Sequence, residues 1–174
     1  SATEAWGPAG TISIGLRARS PDVVFDMSGT NDVSYYENLS DTDGVSKCVA
    51  GRRQIWSYIR NIGAAPIALL LLPRDDDYTD DVEKYNDAIR AAAIRDGVPY
   101  VDAYDACANP DGTWKDDFIY HNGVDDATGL HPSWLASQAI GSLAAEVLKG
   151  VCVSQNLIPR IHAGPPSIYS DSFV

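Results

Sequence analysis

The chain has 174 residues, 45% of them apolar, which suits one folded domain with one core rather than a disordered segment. Lys and Arg number 13 and Asp and Glu 24, a formal net charge of −11, and that field repels phosphate backbones and anionic bilayers. Nucleic acid and membrane are therefore excluded as partners, and the longest apolar run, residues 64–72, falls well short of the roughly 18 residues a membrane-spanning helix needs.

Taken in chain order, the first element is a short apolar run over residues 23–27, which reads as a buried parallel strand. Gly29-Thr30-Asn31-Asp32 follows at once. A glycine there lets the backbone turn sharply and approach a ligand, and Asn31 can then aim its amide N–H at a developing oxyanion. The same four residues also fit an ordinary strand-ending turn. Residues 49–62 read as a helix with Ile55, Tyr58, Ile59 and Ile62 inward, and residues 66–72 as a second buried strand. Thr79 is placed to cap a helix whose first turn carries Asp80 and Asp81, with Val82, Tyr85, Ile89 and Ala93 along one face and Gly97 as the stop. A third strand covers residues 99–103.

Residues 105–126 are rich in Asp, Asn and Gly and read as a surface loop. Gly129-Leu130-His131-Pro132-Ser133 then leads into a helix with Ala136, Ile140, Leu143 and Val147 on one side. A histidine fixed ahead of a helix by a following proline suits a general base, and equally suits an exposed helix terminus. His121 and His162 lack such a setting. Residues 156–174 contain Gly164, Pro159, Pro165 and Pro166 and read as a tail or linker after a domain over residues 1–155. Cys48, Cys107 and Cys152 have no metal-type spacing, so neither a metal, nor an organic cofactor, nor a disulfide is assigned. Strands alternating with helices imply an α/β protein, a three-layer α/β/α sandwich around a parallel sheet, with its chemistry at the carboxyl ends of the strands.

Together "PDVVFDMSGTND" and "TGLHPSWLASQAIGSLAAEVL" resemble the third and fifth sequence blocks of the SGNH hydrolase superfamily, in its GDSL-like esterase and carbohydrate acetylesterase branches. "KYNDAIRAAAIRDGVPYVDAY" is similar to the helix and strand between those blocks, and "SATEAW" to residues that follow the second. The resemblance implies an SGNH, flavodoxin-like fold and a serine esterase acting on small acyl esters, including O-acetyl groups on carbohydrate. It implies Asn31 as oxyanion donor, Gly29 as its support and His131 as the base. Trp114, Tyr120 and Trp134 could stack on sugar rings. A secreted or surface-associated location is the slight preference.

The chain departs from that pattern in three ways. No Gly-Asp-Ser block precedes Gly29, so the sheet is expected to be incomplete in this chain, which reads as part of a longer polypeptide. The residue three before His131 is Thr128 rather than Asp, which leaves Asp126 or Asp125 to orient the imidazole. In the tail, Ile168-Tyr169-Ser170-Asp171-Ser172-Phe173 is similar to the first block with Ser170 in place of Gly, making Ser172 the in-chain nucleophile candidate; the segment equally reads as linker. Ser28 sits beside the oxyanion donor and is a poor nucleophile. The alternative function is a non-catalytic carbohydrate-binding or structural module that keeps the fold without the nucleophile.

Overall fold

A computed structural model describes residues 11–35, 41–75, 78–119 and 131–154. Helix α1 (Thr11–Arg19) leads to strand β1 (Val23–Asp26), the short helix α2 (Thr30–Tyr35) and the long helix α3 (Asp41–Asn61). Strand β2 (Ala65–Leu69), helix α4 (Thr79–Arg95), strand β3 (Tyr100–Val101), helix α5 (Ala103–Cys107) and helix α6 (Trp134–Ser154) complete the order. The strands form one parallel sheet in the order β1-β2-β3, with Val23 opposite Ala65, Asp26 opposite Ala68, and Leu69 opposite Val101.

The middle strand explains the layering. All five residues of β2 are buried, because successive side chains point to opposite faces and both faces are covered. Ala68 and Leu70 join Ile55, Trp56, Ile59, Val82, Ile89 and Ala93 in a core under α3 and α4. Ala65, Ile67 and Leu69 join Ala103, Cys107, Trp114, Ala136 and Val151 in a second core under α5 and α6. The architecture is thus the expected α/β/α arrangement. Among the described residues β1 pairs on one side only, and Phe25 is 39% and Met27 48% exposed.

Several expectations need correction. Thr79 does not cap its helix: it is the first helical residue, Tyr78 holds the cap position, and no side chain bonds there. The helix expected over residues 49–62 starts at Asp41, and its buried face is Cys48, Arg52, Ile55, Trp56 and Ile59, with Tyr58 and Ile62 only partly buried. Strand β3 is shorter than expected because Asp102 stops it, accepting a hydrogen bond from the Asp105 N–H at 3.3 Å and starting α5. Residues 105–119 are not a plain surface loop. They fold back through an Ala108–Trp114 bridge and bury Trp114 to 3% exposure, so that indole is core and not a sugar platform. On α6, Ala136, Ile140, Val147 and Val151 face the sheet, whereas Leu143 is exposed. Helix α1 was not foreseen; Arg17 reaches from it to the Tyr58 hydroxyl at 3.0 Å.

Candidate functional site

Where β1 ends, the chain makes the turn on which the oxyanion reading depends. Gly29 has φ +115°, a conformation that side-chain-bearing residues rarely adopt. A Cβ there would lie 3.1 Å from Cys48 Sγ and 3.4 Å from Leu71 Cδ2, so both the backbone angle and the space require glycine. The Gly29 carbonyl accepts the Asp32 N–H at 2.9 Å, which closes the turn and leaves Asn31 exposed at the start of α2. Burial raises the Asp32 carboxyl above its ordinary value, partly offset by a hydrogen bond from the Cys48 thiol. Burial and the neighbouring Asp32 charge push that thiol up to about 12, so Cys48 is a packing residue and not a nucleophile.

Beneath the turn lies a buried charge pair. The Asp26 carboxylate accepts from the Ser28 N–H at 3.0 Å, Ser28 Oγ at 2.7 Å, Arg52 Nε at 3.1 Å and Trp56 Nε1 at 2.8 Å. Arg52 Nη2 donates to the carbonyls of Asp26 at 2.6 Å and Leu69 at 2.8 Å, the last residues of β1 and β2. Asp26 is 2% and Arg52 1% exposed. Four donors meet the enclosed carboxylate, which is what makes the ion pair tolerable, although Arg52 Nη1 is buried with no hydrogen-bond partner among the described residues. Ser28 is therefore a structural hydroxyl bound to a carboxylate already held by Arg52 and Trp56.

The His131 segment is held on the other layer. Pro132 pairs with Ile119 in an isolated bridge. The Ser133 N–H donates to the Phe118 carbonyl at 2.6 Å, and Ser133 Oγ donates to the Asp117 carbonyl at 2.6 Å. Ser133 Oγ also accepts the Ala136 N–H at 3.3 Å, capping α6. His131 precedes this cap and is exposed, and Trp134 in the first turn is 74% exposed.

Two neighbouring residues connect the halves. Arg74, 3% exposed, donates from Nη1 to the Thr30 carbonyl at 2.8 Å. Asp75 Oδ1 accepts the Trp114 N–H at 3.0 Å. The Phe118 N–H bonds the Lys115 carbonyl at 3.0 Å, so the path from Trp114 to Ser133 is short and hydrogen-bonded. Sequence reasoning passed over Asp26, Arg52, Trp56, Arg74 and Asp75. The available signals were an acid inside the apolar run at residues 23–27 and an arginine in register with Ile55, Trp56 and Ile59.

Thr128, Asp125, Asp126, Ser172, Tyr120, His121 and His162 lie outside the described residues. Among the described residues, no three His, Cys, Asp or Glu side chains group as metal ligands would, and no helix is long and apolar enough to cross a membrane.

The GDSL-like Lipase/Acylhydrolase family matches residues 4–139 of the chain. No curated protein matches its sequence. Among solved structures, it is similar to a GDSL-like lipase from Bacteroides thetaiotaomicron, with 15% identity and a TM-score of 0.62 over 80% of this chain and 71% of that one. A lipolytic-type protein of the G-D-S-L family from Desulfitobacterium hafniense gives 13% identity and a TM-score of 0.65, covering 84% and 75%. A variant of an acetyl-xylooligosaccharide esterase from Geobacillus gives 16% identity and a TM-score of 0.59, covering 85% and 68%. At these identities the structures speak for the fold.

Proposed function

This chain belongs to the GDSL-like lipase/acylhydrolase family, a family of ester hydrolases, and from that premise we propose that it serves hydrolysis of small acyl esters, O-acetyl groups on carbohydrate among them. The observation that carries the reading is the Gly29 turn: a backbone conformation and a packing contact that both demand glycine, at the end of a parallel strand, with Asn31 exposed beside it. A turn fixed in this way by its surroundings is what a preorganised donor needs.

In the proposed reaction a serine hydroxyl attacks the ester carbonyl while His131 takes its proton. The Asn31 amide and a backbone N–H of the turn stabilise the oxyanion as the tetrahedral intermediate forms. Its collapse expels the alcohol, which His131 protonates, and a water molecule deprotonated by His131 then releases the acid and regenerates the serine. Ser172 is the in-chain candidate for the serine, and Asp126 for orienting the imidazole. The exposed Trp134 indole, three residues beyond His131, offers a flat face for a neutral sugar ring. The acetyl-xylooligosaccharide specificity named for the Geobacillus relative makes acetylated sugar the first substrate class to try.

The test is turnover of p-nitrophenyl acetate and acetylated xylo-oligosaccharides, with labelling by a serine-directed organophosphate and peptide mapping. Turnover that falls by about 100-fold or more in both Asn31→Ala and His131→Ala is expected. Labelling of Ser172 establishes the nucleophile within this chain. Absence of both turnover and labelling overturns the esterase reading for this chain and leaves the binding-module alternative.

A further inference from the structure

The oxyanion turn and the histidine belong to different layers. The turn rests against Cys48, in the core under α3 and α4, and the His131 segment leads into α6 on the opposite face. A hydrolase site built this way works only if something fixes the distance between the two, since a misplacement of about 1 Å costs on the order of 100-fold in rate. The sheet ties the two only indirectly, because β2 lies between β1, which carries the turn, and β3, on which α6 chiefly packs. Helix α6 packs chiefly on β3 and α5, with Val23 of β1 at the margin of the same core.

We infer that the dipeptide Arg74–Asp75, just beyond β2, is a clamp that sets the spacing between the Gly29–Asn31 turn and the His131 segment; the inference rests on the esterase reading above. Arg74 faces one way, with its buried guanidinium on the Thr30 carbonyl at 2.8 Å. Asp75 faces the other, with Oδ1 on the Trp114 N–H at 3.0 Å. Consecutive Cα atoms stand about 3.8 Å apart, so the two bonds refer both halves to one short stretch of chain, with Arg74 buried and Asp75 exposed. From Trp114 the restraint passes to Phe118 through the Lys115 turn, and from Phe118 to Ser133 by the 2.6 Å bond that also seats the α6 cap. Trp114 is 3% exposed, so its backbone transmits the position instead of absorbing it. Neither residue touches the reacting atoms in this scheme; both are positioning residues.

Kinetics on p-nitrophenyl acetate with the full chain tests the clamp. Asp75→Ala and Arg74→Met are each expected to lower kcat by about 10- to 100-fold with KM within about twofold, because ground-state binding of so small an ester does not depend on the spacing. Asp75→Asn keeps an oxygen acceptor for the Trp114 N–H and is expected to recover most of the rate. The double variant should lose less than the product of the single losses, since the two bonds act as one unit. A KM that rises in step with the fall in kcat, or an Asp75→Asn variant as slow as Asp75→Ala, overturns the clamp. Amide hydrogen exchange keeps the two proposals separable. If the unaltered chain shows no His131-dependent turnover, the esterase reading fails, and the clamp is judged on exchange alone. Asp75→Ala should then speed exchange at Trp114 and Ser133, and Arg74→Met at Asp32, with Ile59 and Ile67 unchanged. Unchanged exchange at Trp114, Ser133 and Asp32 overturns it.

Discussion

Replacing Gly29 by alanine puts two separable loads on the turn. The first is conformational: at φ +115° a side-chain-bearing residue costs about 1–3 kcal/mol. The second is steric, since the new Cβ meets Cys48 Sγ at 3.1 Å, close enough that the sulfur must give by a few tenths of an ångström. Cys48 is 1% exposed and its thiol is bonded to Asp32, so it yields only by disturbing its neighbours, which places this load toward the lower end of the roughly 1–3 kcal/mol typical of overpacking. The sum is about 2–4 kcal/mol. With a urea slope of about 2 kcal/mol/M, the unfolding midpoint should fall by about 1–2 M. Gly63 supplies the control. It has φ +85° and no atom within 4 Å of its would-be Cβ, so Gly63→Ala carries the conformational load alone. If Gly29→Ala is no more destabilising than Gly63→Ala, the Cys48 contact has been misjudged. If Gly29→Ala leaves the midpoint where it was, the claim that the turn requires glycine is refuted.

Two further outcomes follow from the buried polar groups. Asp26→Ala leaves the Arg52 guanidinium enclosed without its counter-charge and should cost about 3–5 kcal/mol in chemical denaturation, whereas the paired change Asp26→Leu with Arg52→Met should recover much of that loss; equal losses would show that the carboxylate's charge is irrelevant. The Cys48 thiol is held up at about 12 against an ordinary 9, so the folded state keeps a proton that the unfolded chain releases. That contribution to stability is fully present below pH 9 and is lost as pH rises towards 12, and in the unaltered protein Cys48 should resist alkylation at pH 9 until it is unfolded. Fast native-state alkylation of Cys48 would contradict the burial argument.

The strands were legible because β2 carries a continuous apolar run that only a doubly covered strand needs, and α4 because Val82, Tyr85, Ile89 and Ala93 repeat at helical spacing. Helix α3 begins eight residues before its apolar periodicity does, since Asp41, Asp43 and Lys47 offer no apolar stripe before Cys48. Asp102 ended β3 early by a local side-chain bond, a competition that periodicity does not register. For the site, the positions of Gly29 and His131 beside strand and helix ends could be read from spacing, because such junctions carry turn residues. The supports could not. The bond between Arg74 and Thr30 spans 44 positions, and that between Asp75 and Trp114 spans 39. Nothing local in the chain announces either partner. Asp26 is the intermediate case: its charge was visible as an oddity within the strand, but its meaning depended on Arg52, which alone would read as an ordinary surface arginine.

The Asp26–Arg52 pair has a consequence for how this sequence can drift. Stability in domains of this size is typically about 5–15 kcal/mol, so losing either partner alone removes a large share of what keeps the chain folded. An apolar pair could serve the same space, yet reaching it by single steps means passing through a lineage that barely folds. Arg52 also donates to the carbonyls of Asp26 and Leu69, so replacing it takes a shared donor from the ends of both strands. Each of the two residues constrains substitution at the other: descendants should keep both or change both, while the exposed face of α6 is freer to vary.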